Sequence, residues 1–318
     1  MVTLDDVERA ARTIAGRVHR TPLLRSGTLS AQLGGDVRFK AELFQRTGSF
    51  KVRGALNKLS QLTGDEKRAG VISISAGNHA QAVAWAAREA GVDALIVMWQ
   101  GADDLKVAAT RGYGAAVDEE ADGPTTAFDR LHRLHEETGR TLIHPFDDPE
   151  VIAGQGTVAL EILEDGPVPD VVVVPVGGGG LVSGIATALK ARRSDVRVIA
   201  VEPELSTALH DGLAAGRSVP VTPKSAADAL SAPFAGESCV QICTELGVES
   251  VLVSEDDLAA AFRWLYARTK LACELGAAAS AAALLCGKAT VEPGLNVVAV
   301  VSGGNVAPRQ AAAILAGR

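Results

Sequence analysis

The chain reads as an α/β protein built on open, mainly parallel sheets flanked by helices. Three observations predict this. Short runs of β-branched and aliphatic residues recur from residue 71 to residue 301, and near-continuous runs of that kind suit strands covered on both faces. Between them lie segments with apolar residues at helical spacing, so strands and helices alternate and helical crossovers join parallel strands. The composition agrees: 47% hydrophobic, 4% aromatic and 33 glycines in 318 residues. Such a makeup excludes disorder, a disulfide scaffold and a collagen-like fibre.

The elements follow in order. Thr3 and Asp6 cap a first helix with Leu4, Val7, Ala11 and Ile14 on one face. Ser49 is placed to cap a second, in which Ala55, Leu56, Leu59 and Leu62 share a side. Strands are predicted over 71–74, 94–98, 171–174, 196–201, 251–253 and 297–301, and helices over 78–90, 181–192, 256–269 and 277–285. A smaller domain over 68–142 can be set apart, inserted in a larger one made of 1–67 and 143–318. Its edges are the soft segments Thr63-Gly64-Asp65-Glu66 and Thr138-Gly139-Arg140.

Charge and composition narrow the function. The net charge is −7, which argues against a phosphate-backbone binder, and the scarcity of aromatics argues against a single-strand stacking platform. No apolar run reaches the roughly 18 residues of a membrane helix, and the acidic N-terminus lacks the features of a signal peptide. Cys239, Cys243, Cys273 and Cys286 form no CxxC pair, as expected of reduced thiols in a cytoplasmic protein.

Four segments carry chemistry. Gly177-Gly178-Gly179-Gly180-Leu181 follows a buried strand and opens a helix. Its backbone N–H groups can turn on one small anion, helped by the helix N-terminus. No Gly-Lys-Ser/Thr follows and the spacing is not GxGxxG, so a phosphate monoester fits better than a nucleotide. Lys51, in Gly48-Ser49-Phe50-Lys51, stands at a helix start. Cations are disfavoured there, which lowers an amine pKa as an imine-forming lysine requires. Ser75-Ala76-Gly77-Asn78-His79 again joins a strand to a helix and can offer N–H groups to a carboxylate, and Asn78 can donate its amide to a phenolate-like oxygen. Alone, His79 reads as structural. Ser302-Gly303-Gly304-Asn305 ends the last strand. Three strand C-terminal ends therefore carry small polar turns, where ligands of open α/β sheets gather.

Taken together, these segments resemble the fold type II pyridoxal-phosphate enzymes, within them the serine/threonine dehydratase and serine racemase family. Lys40-x-Glu42, His144-Pro145-Phe146-Asp147-Asp148-Pro149 and Gly154-Gln155-Gly156-Thr157 match as well, and the resemblance runs from Arg20-Thr21-Pro22-Leu23 to Asn305. The resemblance implies two open twisted sheets, pyridoxal 5'-phosphate as cofactor, a small amino-acid substrate and a homodimer. Lys51 would carry the cofactor covalently and move protons, with Phe50 packed against its ring. Asn78 would bond its phenolic oxygen, and Gly177, Gly178, Gly179, Gly180 and Leu181 would hold its phosphate. Ser302 would face its pyridine nitrogen, and Ser75, Gly77, Asn78 and His79 would receive the substrate carboxylate.

The implied reaction is elimination of water from a β-hydroxy-amino acid, giving a 2-oxo acid and ammonia. A racemase or β-replacement enzyme and a non-catalytic binder are the alternatives. Serine racemases of this family carry a proton-bearing hydroxyl where this chain has Ala76, which favours the dehydratase. Several positions depart from the family: Asp228-Ala229 for Asp-Gly, Leu275 and Ala277 in the segment after Glu274, Trp99 for a proline after Met98, and Asp103 for a proline before Lys106. Glu202 stands where cation-binding relatives have a carboxylate, so Mg²⁺ or Ca²⁺ at Glu202 is a further expectation, although the second acid is replaced by Ala208. The scaffold takes up the length through Ser302, so no C-terminal regulatory domain is expected.

Overall fold

The computed structural model describes residues 1–317. Among them, ten strands form two sheets. The larger sheet contains β1 (Leu23–Arg25), β2 (Asp36–Ala41), β7 (Val171–Pro175), β8 (Arg197–Pro203), β9 (Glu249–Val253) and β10 (Asn296–Val301), in the order β1-β2-β10-β7-β8-β9. Of its pairings, only β1–β2 is antiparallel. The smaller sheet is wholly parallel and contains β3 (Val71–Ile74), β4 (Ala94–Trp99), β5 (Ala116–Ala121) and β6 (Thr141–Leu142), in the order β5-β4-β3-β6.

Residue pattern explains most of these elements. Thr3 and Asp6 form a reciprocal capping box on the helix Leu4–Ile14, whose Val7, Ala10 and Ile14 are buried. β3 and β7 are buried at every position, as expected of strands roofed on both faces. The segment expected as one helix over 256–269 is an α-helix, Glu255–Trp264, that ends in a π-helical turn, Leu265–Thr269. The helix expected from 277 opens with a 3₁₀ turn over Gly276–Ala278.

Ser49 does not cap the helix Lys51–Ser60. The residue at the cap is Phe50, with no side-chain bond, and the buried Ser49 hydroxyl has no partner among the described residues. The reason is that Ser49 is drawn into an extended bridge with Gly303, which turns it away from the first turn.

Three helices meet with almost no side chain between them. A Cβ on Gly154 would lie 2.6 Å from the Gly54 Cα, and one on Gly184 would lie 2.6 Å from the Gly156 nitrogen. Neither fits, so Lys51–Ser60, Pro149–Asp165 and Gly180–Arg192 approach backbone to backbone at these crossings. Buried charge adds a second tie: Arg53 pairs with Glu42 at 2.8 Å and Glu161 at 2.7 Å, and Lys40 reaches Glu161 at 2.6 Å. Such pairs are costly to break singly, because each leaves a stranded charge. The crossings fix the start of the Lys51 helix relative to the start of the helix behind the glycine run, and the buried charges tie the Lys51 helix to Pro149–Asp165 and β2.

Candidate active site

The C-terminal ends of β3, β7 and β10 open on one cleft of about 210 Å³. Lys51, the Ser75–His79 turn, the glycines 177–180 and Ser302 all line it, so the structure brings these sequence-predicted residues together.

Lys51 is the first residue of its helix. Its Nζ donates to the Pro145 carbonyl at 2.8 Å and lies 5.3 Å from the Phe50 ring centroid. Burial pushes the amine down to about 8, against a smaller opposing pull from Cys239 and Glu274. The direction matches the sequence expectation, but the main cause is desolvation.

Opposite it, the run after β7 keeps its backbone donors free. Among the described residues, no N–H from Gly177 to Leu181 has an acceptor. Gly179 is left-handed, at φ 96°, and caps the helix Gly180–Arg192. At Gly178 a Cβ would overlap the Phe146 ring. These donors at a helix N-terminus suit a dianionic phosphate.

In the turn after β3, the Ser75 hydroxyl accepts from the Gly77 N–H at 3.1 Å. That N–H is thereby engaged, while those of Asn78 and His79 stay unpaired among the described residues. His79 is buried, and its Nε2 faces the Ile143 carbonyl at 3.1 Å. The carbonyl requires the proton on Nε2 and leaves Nδ1 bare. Desolvation, then Lys51, push this imidazole down to about 3, so it stays neutral. Ser302 is buried at the end of β10, and its carbonyl accepts from the Phe50 N–H at 3.1 Å.

Two cleft residues had no role assigned from sequence. Glu274 is buried and takes the Asn78 amide at 2.6 Å. Desolvation, reinforced by Asp228, raises its carboxyl to about 7. Lys106 ion-pairs with Asp228 at the cleft. Single charged residues carry no spacing signal, and only the departures noted around Glu274, Asp228 and Lys106 pointed to these segments. Ala229 and Trp99 also line the cleft, so two departures from the family pattern fall at the site itself.

The metal expectation at Glu202 is corrected. Glu202 is fully buried, and its two oxygens accept the Leu209 and His210 N–H groups at 2.8 and 2.7 Å. It satisfies the start of the helix Ala208–Ala215, and burial raises it to about 8. Among the described residues, no group of three His, Cys, Asp or Glu side chains is placed to hold a metal.

The free phosphate donors and the desolvated amine fit pyridoxal phosphate, an aldehyde bearing a phosphate monoester. The profile of the pyridoxal-phosphate dependent enzyme family matches residues 14–303, and the chain belongs to that family. Within it, the chain is similar to an L-threonine ammonia-lyase of Thermotoga maritima, at 43% identity over 96% of this chain and 76% of the relative. It is similar also to a catabolic L-threonine dehydratase of Escherichia coli K12, at 41% identity over 96% of this chain and 93% of the relative. Among solved structures, maize serine racemase superposes with TM-score 0.92 at 35% identity, over 97% of this chain and 95% of the other. A threonine deaminase of T.th. gives 0.89 at 42% identity, over 96% of this chain and 99% of the other. The expected fold and the expected class, a pyridoxal-phosphate dependent lyase of the dehydratase type, are borne out.

Proposed function

We propose that the chain converts a small β-hydroxy-amino acid, of the threonine and serine class, to a 2-oxo acid and ammonia. The carrying observation is the pairing, in one cleft, of a desolvated lysine with a run of acceptor-free backbone N–H groups. The relatives named threonine ammonia-lyase and dehydratase support the same reading.

In this reading Lys51 holds the cofactor and the N–H groups of Gly177 to Leu181 hold its phosphate. Phe50 would pack at its ring, Asn78 would donate to its phenolic oxygen, and Ser302 would face its pyridine nitrogen. When bound, pyridoxal phosphate acidifies the α-hydrogen of an attached amino acid. The free N–H groups of Asn78 and His79 orient the substrate carboxylate, and the Ser75 hydroxyl keeps that turn in shape. Lys51, with its amine near 8, takes the α-proton at Nζ. Neutral His79 supports the turn, its Nε2 proton held by the Ile143 carbonyl, and shuttles no proton in the reaction. Ser302 lines the cleft with a neutral hydroxyl, which, unlike a carboxylate, would not hold a proton on the cofactor's pyridine nitrogen. Residues 68–142 form the smaller domain, and the working form is a cytoplasmic homodimer.

Release of ammonia and 2-oxo acid from a panel of β-hydroxy-amino acids tests the proposal. Activity on threonine or serine, abolished in Lys51→Ala, is the expected result, and a silent panel would sink it. The similarity to serine racemase makes racemisation the second reading. Ala76 lines the cleft without a proton-bearing group, so chiral chromatography after partial turnover is expected to show little of the opposite enantiomer.

A further inference from the structure

The Asn78 amide is gripped at both ends. Its Nδ2 donates to Glu274 Oε1 at 2.6 Å, and its Oδ1 accepts from Asn305 Nδ2 at 2.7 Å. Asn305 Nδ2 also donates to the Thr47 carbonyl at 2.7 Å. That carbonyl is backbone and accepts only, so it keys the orientation of Asn305, which in turn keys Asn78. Donors therefore run one way, from Asn305 to Asn78 to Glu274. A flipped Asn78 would set nitrogen against nitrogen at one end and oxygen against carboxylate at the other. One N–H of Asn78 remains for a third partner.

Glu274 is an unusual acceptor to place here. It is 3% exposed, and among the described residues its buried Oε2 has no partner. A buried carboxyl with an empty oxygen is costly and calls for a reason beyond folding. The last turn is shaped around it: a Cβ on Gly303 would overlap Glu274 Oε1 and come within 3.2 Å of Asn78 Nδ2. The Glu274 N–H donates to the Gly303 carbonyl at 3.1 Å.

We propose that Glu274 and Asn305 are positioning residues that lock the Asn78 amide so that it meets the cofactor's ring oxygen as a donor. The proposal rests on the reading that this cleft takes pyridoxal phosphate. A locked donor favours the deprotonated form of that oxygen and so sets the pH at which the bound cofactor changes its absorbance. The charged groups acting on Glu274 are Asp228, Lys106 and Lys51, and they stay constant across the variants below.

The test uses purified protein reconstituted with pyridoxal phosphate and reads cofactor affinity, the pH midpoint of the visible band, and kcat and KM. Loss of the acceptor that orients the Asn78 amide predicts that Glu274→Ala weakens affinity about tenfold and moves the midpoint. Asn305→Ala is expected to do the same in smaller measure. Glu274→Gln keeps an acceptor for the amide and is expected to restore affinity to within about threefold of wild type. Asn305→Asp accepts where Asn305 donates, so it is expected to disturb the midpoint more than Asn305→Ala does. Wild-type affinity and midpoint in Glu274→Ala would overturn the proposal. So would a Glu274→Gln as impaired as Glu274→Ala, since charge and not amide orientation would then be at work. If Glu274→Ala fails to fold, Glu274→Gln and the two Asn305 variants decide the matter. Failure of the underlying reading shows separately, as wild-type protein that gives no Lys51-dependent band.

Discussion

Lys106 and Asp228 form an ion pair at the cleft between the two sheets. Lys106 lies on the helix Asp104–Gly112, whose start is capped by Asp103, and Asp228 opens the 3₁₀ turn Asp228–Leu230. A Cβ on Gly77 would stand 4.0 Å from Lys106 Nζ, so the pair borders the turn proposed to take the substrate carboxylate. Asp228 is 59% exposed, and salt screens such pairs. Asp228→Asn is therefore expected to raise KM at most about fivefold. Added salt should raise the wild-type KM toward the variant's. Initial rates across a salt series check both.

The lowered Lys51 amine predicts how the apoprotein captures its cofactor. The neutral amine is the nucleophile, and it prevails above its pKa of about 8. The rate of band formation should climb as pH rises toward 8 and level off beyond it. Stopped-flow absorbance between pH 6 and pH 9 reads this directly. A profile still climbing about tenfold per unit at pH 9, as that of an ordinary lysine does, would contradict the desolvation argument. Lys51→Ala should form no band and lose turnover by at least about 10²–10⁴-fold.

Gly178 has no room for a methyl group beside Phe146. Gly178→Ala is expected to cost about 1–3 kcal/mol by overpacking and to weaken binding of free phosphate as well as of the cofactor. Gly112 is the matched control, because nothing lies within 4 Å of a Cβ there. Gly112→Ala should leave binding intact. Urea unfolding and phosphate titration of both variants separate the effects.

Glu202→Ala removes the acceptor of two backbone N–H groups and is expected to lower stability by about 1–3 kcal/mol. Mg²⁺ or Ca²⁺ should neither restore the variant nor protect the wild type through this residue. Urea unfolding with and without each ion checks the assignment, and an ion-dependent gain confined to the wild type would speak for the discarded metal site.

Legibility followed burial. β3 and β7 announce themselves because both their faces are roofed and every position is buried. β5, Ala116–Ala121, carries Asp118, Glu119 and Glu120 at the edge of its sheet and gives no such run. β2 hides for another reason: Lys40 is polar yet fully buried, satisfied by Glu161 and the Thr21 carbonyl. In the cleft, the glycines and Lys51 were readable because a helix start constrains its own residues. The Asn78–Glu274 contact joins positions 196 apart in the chain, and no local pattern encodes it. Glu202 misled because a carboxylate alone does not say whether its oxygens meet a cation or a row of N–H groups.

The crossings at Gly54, Gly154, Gly156 and Gly184 have one more consequence. They act as a spacer of fixed width between the helix that begins with Lys51 and the helix that begins behind the glycine loop. Because that width is set by main chain, apolar core residues elsewhere can drift in size without stretching the gap between the amine and the phosphate donors. Substrate preference can then be retuned at the rim, through residues such as Trp99 and Ala229, while the two anchors of the cofactor keep their separation.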